Sequence, residues 1–207
     1  PLITKDYYSK DLFGNYIHKY YYNASIADGY TLRLIREEIE SNYKIVLKDA
    51  LDKIKILKGD IERQKVFAHT NFVEPMLDYI VNDFEKSRLT FSDSSIGGMV
   101  VCDSSDQAKE MFRIFNEKYA LKTEQEEELL QAAEPKADYK TKLQHSYKVK
   151  TAALILHDIG TKDERKDVVE DFKEGEIDFL FVYNMLLTGF DAKRLKKLYI
   201  GRVIKRH

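Results

Sequence analysis

The chain has 207 residues, 43% apolar and 33% charged, with nine Gly, three Pro and one cysteine; at roughly 100–200 residues per domain it makes one domain with an appendage, or two small ones. The single Cys102 excludes an internal disulfide and fits a reducing compartment, and no run near ~18 apolar residues marks a membrane span. Balanced charge, 34 Lys+Arg against 35 Asp+Glu for a net of −1, argues against a free-standing nucleic-acid binder, which carries a basic excess.

Residues 1–30 are rich in tyrosine, and Asp28-Gly29 is a turn signal, because glycine takes a positive φ cheaply. Thr31-Leu32-Arg33-Leu34 alternates apolar and polar, which predicts a short extended segment. From Ser41 the period becomes helical: Val46, Leu47, Ala50, Leu51, Ile54 and Leu57 share a face, with Gly59 as the stop. Asp60 predicts the cap of a short helix through His69. Pro75, tolerated in a first turn, opens a third helix whose apolar face is Met76, Leu77, Ile80, Val81 and Phe84.

At Gly97 the pattern changes to short apolar runs separated by helices. Met99 to Cys102, Ala152 to Leu156, Phe179 to Val182 and Leu198 to Ile200 read as buried strands, apolar on both faces. Ser104 with Gln107, and Thr161 with Glu164, have capping-box spacing, and Gly175 stands where a C-terminal glycine belongs. Strand, helix, strand, helix, strand predicts an α/β fold with a parallel sheet and flanking helices, preceded by a mostly helical connecting segment. The expected boundaries are 1–38, 39–95 and 96–207, with an insertion over about 121–150 that carries an acidic block and then a lysine-rich one. The five histidines and Cys102 show no zinc spacing.

In an open parallel sheet, ligands bind beyond the carboxyl ends of the strands. Those ends carry Asp103-Ser104, His157-Asp158, Tyr183-Asn184 and the loop Thr188-Gly189-Phe190-Asp191. Gly189 permits close backbone approach to a phosphate or sugar, and Asp191 can accept a hydrogen bond from a ribose hydroxyl. The plain alternative is a glycine turn with a capping aspartate.

The string Met185-Leu186-Leu187-Thr188-Gly189-Phe190-Asp191, together with Phe13-Gly14-x-Tyr16-Ile17-His18-Lys19-Tyr20 and Ile26-Ala27-Asp28-Gly29-x-Thr31-Leu32, resembles the R subunit of type I restriction-modification enzymes. Asp171-Phe172-Lys173-Glu174-Gly175 before the third strand is similar to the second RecA-like domain of superfamily-2 helicases more broadly. The resemblance implies a parallel RecA-like sheet over 96–207, with 1–38 joining it to a first motor domain. It implies part of an ATP-dependent DNA translocase and endonuclease in a cytoplasmic complex with modification and specificity subunits, acting on double-stranded DNA away from any membrane.

Carried over by position, Thr188, Gly189 and Asp191 would line the ATP cleft, and Ser104, Arg165 and Asn184 would face DNA. Ser104 as a helix cap and Arg165 as a solvated helix residue remain the alternatives, and Asn184 stands where that family often shows an acidic residue. Glu164-Arg165-Lys166 has the Glu-x-Lys form of a nuclease site, but on a helix without a strand aspartate. ATP and magnesium belong to the full enzyme. The chain carries no Gly-x-x-x-x-Gly-Lys-Ser/Thr loop, Walker B pair or motif VI arginines, so no catalytic or metal residue and no bound cofactor are expected here. It opens at Pro1 and closes at His207, and is expected to be a fragment without ATPase of its own. The alternatives are another superfamily-2 helicase, RNA-directed ones included, and a non-catalytic α/β interaction domain.

Overall fold

The computed structural model describes residues 11, 14–15, 18–31, 33, 35–58, 63–120, 147–187 and 189–202, which group into two compact units, 1–39 and 40–207. The expected stop at Gly59, the cap at Asp60, most of the 121–150 insertion and Thr188 lie outside the described residues.

The smaller unit contains helix α1, Tyr22–Ala27. The Asp28-Gly29 turn forms as expected: Gly29 takes φ +78° and donates to Ile26 O, and Tyr20 Oη donates to Asp28 Oδ2 at 2.6 Å. Thr31 and Arg33 are not in a strand, so the alternation there marks a loop. Ser25 and Thr31 join their hydroxyls instead, which closes the turn on itself.

The larger unit begins with α2 (Ser41–Lys58), α3 (Arg63–Phe67) and α4 (Thr70–Phe91). Leu47, Leu51 and Ile54 of α2 pack with Val66 and Phe72, but Val46, expected on this face, points to water. Helix α4 starts five residues before Pro75, which therefore sits in its second turn and not its first. The start is set by His69, whose Nδ1 accepts from Asn71 N at 3.2 Å. The missing proline N–H removes one helical hydrogen bond, a cost that burial of Leu77, Ile80, Val81 and Phe84 outweighs at about 1.5–3 kcal/mol per side chain.

Strands β1 (Gly97–Val101), β2 (Ala152–Ile155), β3 (Phe179–Val182) and β4 (Leu195–Ile200) form one parallel sheet in the order β2-β3-β1-β4. Between β1 and β2 runs α5 (Ser105–Phe115), continued by a π-helical turn, Asn116–Ala120. Between β2 and β3 runs α6 (Lys162–Glu174), which carries the full Thr161–Glu164 capping box and ends at Gly175 with φ +107°. Strand alternation then sorts the core. Val100, Cys102, Phe179 and Phe181 meet α4 and α5 on one face, and Met99, Val101, Leu180 and Val182 meet Phe172 of α6 on the other. The fold is α/β, a parallel sheet with helices on both faces, as the sequence predicted.

Gly97 and Gly98 lie inside β1 rather than ahead of it, and each makes room for an aromatic ring. A Cβ on Gly97 would stand 2.7 Å from Phe172 Cζ, and one on Gly98 would stand 2.6 Å from Phe179 and 2.9 Å from Phe84. The central strand is thus stripped of side chain at its start so that a phenylalanine can close over it from either side. Strand β4, at the edge of the described sheet, is covered unevenly. Tyr199 packs into the α4 side, while Leu198 and Ile200, in register with Met99 and Val101, are 54% and 49% exposed.

Candidate functional site

The carboxyl ends of the strands gather most of the residues singled out from the sequence. At the end of β1, Ser104 caps α5: its Oγ accepts from Gln107 N at 3.1 Å. The expected reciprocal bond is replaced. Gln107 is fully buried, accepts from Asp103 N at 2.7 Å and donates to Phe67 O at 2.9 Å, so its amide ties the β1 exit to α3 rather than closing the box. The first turn also carries Asp106, whose negative charge suits the helix dipole.

At the end of β2, residues His157 to Gly160 form an exposed loop. Arg165, in the first turn of α6, points back into it. Its Nη1 lies 2.6 Å from Gly160 O, 2.9 Å from Ile159 O and 3.4 Å from His157 O. Part of this guanidinium is therefore spent on shaping the loop. Lys109 of α5 reaches the same loop and pairs with Asp158 at 2.9 Å, and that hydrogen bond holds the Asp158 carboxyl below its usual range. Glu164, the acidic member of the Glu-x-Lys triplet, is committed to the capping box, which lowers its pKa.

At the end of β3 the backbone turns sharply. Asn184, Leu186 and Gly189 take φ values of +53°, +57° and +72°. A Cβ on Gly189 would meet nothing within 4 Å, so its conformation, not crowding, calls for glycine. Phe190 anchors the loop against Phe172, with ring centroids 6.0 Å apart, and leaves Asp191 exposed. Thr188, the remaining residue of this group, is outside the described residues.

Ser104, Arg165 and Asn184 thus follow β1, β2 and β3, at one end of the sheet, while Gly189 and Asp191 occupy the β3–β4 loop. Sequence reasoning passed over two neighbours at this end. Gln107 looked like a cap partner only. Arg202 was not singled out, although its place just after the apolar run Leu198 to Ile200 already put it at a strand exit. Among the described residues no group of three His, Cys, Asp or Glu is arranged to hold a metal ion, and no helix is long and apolar enough to cross a membrane.

A parallel sheet with helices on both faces defines the α/β class of domains. Within it, residues 102–207 match the family described as Type I restriction enzyme subunit R domain 3, and the chain belongs to that family. It is also 26% identical, over 95% of its length, to the Type I restriction enzyme SauCOLORF180P endonuclease subunit of Staphylococcus aureus strain COL. The same figures hold for the corresponding subunits of strains MSSA476 and MRSA252. The chain spans 22% of the length of these relatives. No solved structure matches it.

Proposed function

We propose that this chain is the second, RecA-like motor domain of a type I restriction R subunit, preceded by the segment that joins it to the first. In that role it contributes one wall of an ATP cleft and one stretch of the surface along which duplex DNA is drawn. The boundaries that suit this reading are a connector over 1–38, a helical segment over 39–95 and the motor domain over 96–207. The observation that carries it is the gathering of Ser104, Arg165 and Asn184 at the carboxyl ends of adjacent strands, in a chain of the R-subunit family.

Ser104 and the start of α5 would present a helix N-terminus to phosphate. Arg165 holds the β2–α6 loop, and Asn184 offers an amide. Gly189 has open space where a side chain would stand, which suits the approach of a sugar or phosphate, and exposed Asp191 suits a ribose hydroxyl. ATP, when bound, supplies the free energy that drives domain closure. Magnesium and the residues that hold it are assigned to the rest of the enzyme, because this sequence has no Walker B pair. The catalytic steps of hydrolysis are therefore not assigned to this part of the chain. In the whole enzyme a nuclease, together with modification and specificity subunits, would complete the cytoplasmic complex.

The test uses both the full-length R subunit and the 207-residue chain. In the full-length protein, a Gly189→Ala/Asp191→Ala double variant should lose DNA-stimulated ATPase, and Ser104→Ala and Arg165→Ala should each weaken duplex binding. The short chain should turn over no ATP. Turnover by the short chain above that of its own double variant would overturn the reading, and so would DNA affinity in the full-length protein that ignores both Ser104 and Arg165.

A further inference from the structure

Strands β3 and β1 are neighbours in the sheet, yet their exits part. The chain leaving β1 enters α5 on the α4 side, and the chain leaving β3 packs Met185, Leu186 and Phe190 on the α6 side. Where neighbouring exits part in this way, an open parallel sheet ordinarily receives its ligands. One side chain lies across that place. Arg202 follows β4, on the far side of β1, and its Nη1 donates to Oδ1 of Asn184, which follows β3, at 2.6 Å. The guanidinium therefore passes over the end of β1 to reach its partner.

Two features hold it there. The preceding Gly201 donates its N–H to Val101 O at 2.8 Å, and a Cβ on it would stand 2.9 Å from Met76 Cε and 3.1 Å from that same carbonyl. The backbone at the root of Arg202 is thus pressed onto the tip of β1. Asn184, at φ +53°, uses a conformation that asparagine adopts more readily than most residues.

The partner is a neutral group, as the carbonyls around Arg165 are. Arg88, Arg113, Arg194, Lys109, Lys118, Lys196 and Lys197 each meet a carboxylate. Arg202 meets a neutral amide, and among the described residues its charge has no carboxylate beside it. A guanidinium held by one N–H keeps the rest of its planar fork for a second acceptor, and that fork matches two phosphate oxygens.

We infer that Arg202 is a phosphate-binding residue where the β3 and β1 exits part, with Asn184 as its positioning residue. The inference rests on the proposed ligand face at the carboxyl ends and names a residue outside the set read from the sequence. The phosphate belongs either to a DNA backbone or to a nucleotide, and one experiment separates the two. Full-length R subunit, wild type and variants, is titrated against a fluorescein-labelled duplex across about 50 to 200 mM salt, and separately against a fluorescent non-hydrolysable ATP analogue.

For a DNA phosphate, Arg202→Ala lowers duplex affinity roughly tenfold and reduces the slope of log affinity against log salt by about one. Arg202→Lys keeps the slope. Asn184→Asp supplies the missing carboxylate, neutralises Arg202 and reproduces the Arg202→Ala slope. Asn184→Ala keeps the slope at lower affinity. For a nucleotide phosphate, the Arg202→Ala loss and the Asn184→Asp mimicry appear with the ATP analogue, and the duplex slope stays put. Wild-type binding to either probe that Arg202→Ala leaves unchanged in both titrations overturns the inference alone. A wild-type protein that binds neither probe overturns the proposed function and this inference together. Equal thermal midpoints of wild type and Arg202→Ala separate loss of contact from loss of fold.

Discussion

The two ends of the sheet are built from the same residue types to opposite purposes. At the amino-terminal end, Arg88, Asp178 and Arg194 are buried together. Arg88 pairs with Asp178 and donates to Ile96 O at 2.6 and 3.0 Å and to Lys148 O at 3.2 Å. The other Asp178 oxygen accepts from Lys150 N at 2.9 Å, and Arg194 donates to Ser95, Phe172 and Ile177 carbonyls. Each guanidinium also lies over a phenylalanine, Arg88 over Phe84 and Arg194 over Phe172. This one cluster links the C-terminal part of α4 and the starts of all four strands. At the carboxyl end, charges are exposed, loops use left-handed residues and a guanidinium is held by an amide. The difference teaches where this chain spends stability. One end is saturated with internal partners, and the other keeps donors for something else.

Removing Asp178 should cost most. Asp178→Ala leaves two buried guanidiniums without their carboxylate, and the expected loss is about 3–5 kcal/mol, read from urea denaturation of the 207-residue chain. A loss under about 1 kcal/mol would show that the amino-terminal cluster is not the clamp described. Next comes Gly98→Ala, which drives a methyl into Phe179 and Phe84 and should destabilise by about 1–3 kcal/mol. Thr161→Ala removes the cap of α6 for about 1 kcal/mol. At the other pole, Asp191→Ala should change stability by no more than about 0.5 kcal/mol, while ligand affinity of the full-length protein falls. If Asp191→Ala instead unfolds the chain, the division between the two ends fails.

Cys102 sharpens the same contrast without a substitution. Burial, aided by the neighbouring Asp103 charge, pushes its thiol up to about 12. The thiolate is the reactive form, so labelling by a maleimide near pH 8 should be slow in the native chain and fast once it opens. The labelling rate should rise in Asp178→Ala and stay at the native level in Asp191→Ala.

The carboxyl end was legible in the sequence because its signals are local. A strand exit is simply the polar pair that ends an apolar run, as Asp103-Ser104, His157-Asp158 and Tyr183-Asn184 each do. The same holds for the α6 cap and for Gly175, whose partners lie within five residues. The amino-terminal cluster was not legible. Arg88, Asp178 and Arg194 are far apart in the chain and look like surface charges in three unrelated segments. Only the order β2-β3-β1-β4 makes them neighbours, and a pairing order is a property of the whole sheet. Gly97 and Gly98 were misplaced for a related reason. Glycine pairs usually punctuate, and only the phenylalanines above and below explain why a strand would contain two.

The uneven cover of β4 has a practical consequence for anyone holding this chain in a tube. Edge strands are ordinarily kept from sticking by lysines that repel a second copy. Here Lys196 and Lys197 are already engaged with Asp93 and Asp83. The strip formed by Leu198 and Ile200 therefore has little repulsion to guard it, and a net charge of −1 adds almost none from the rest of the surface. Leu198 and Ile200 thus join Ile35 and Phe91 among the exposed apolar side chains through which copies of the isolated chain can associate, and charging that strip should raise its solubility.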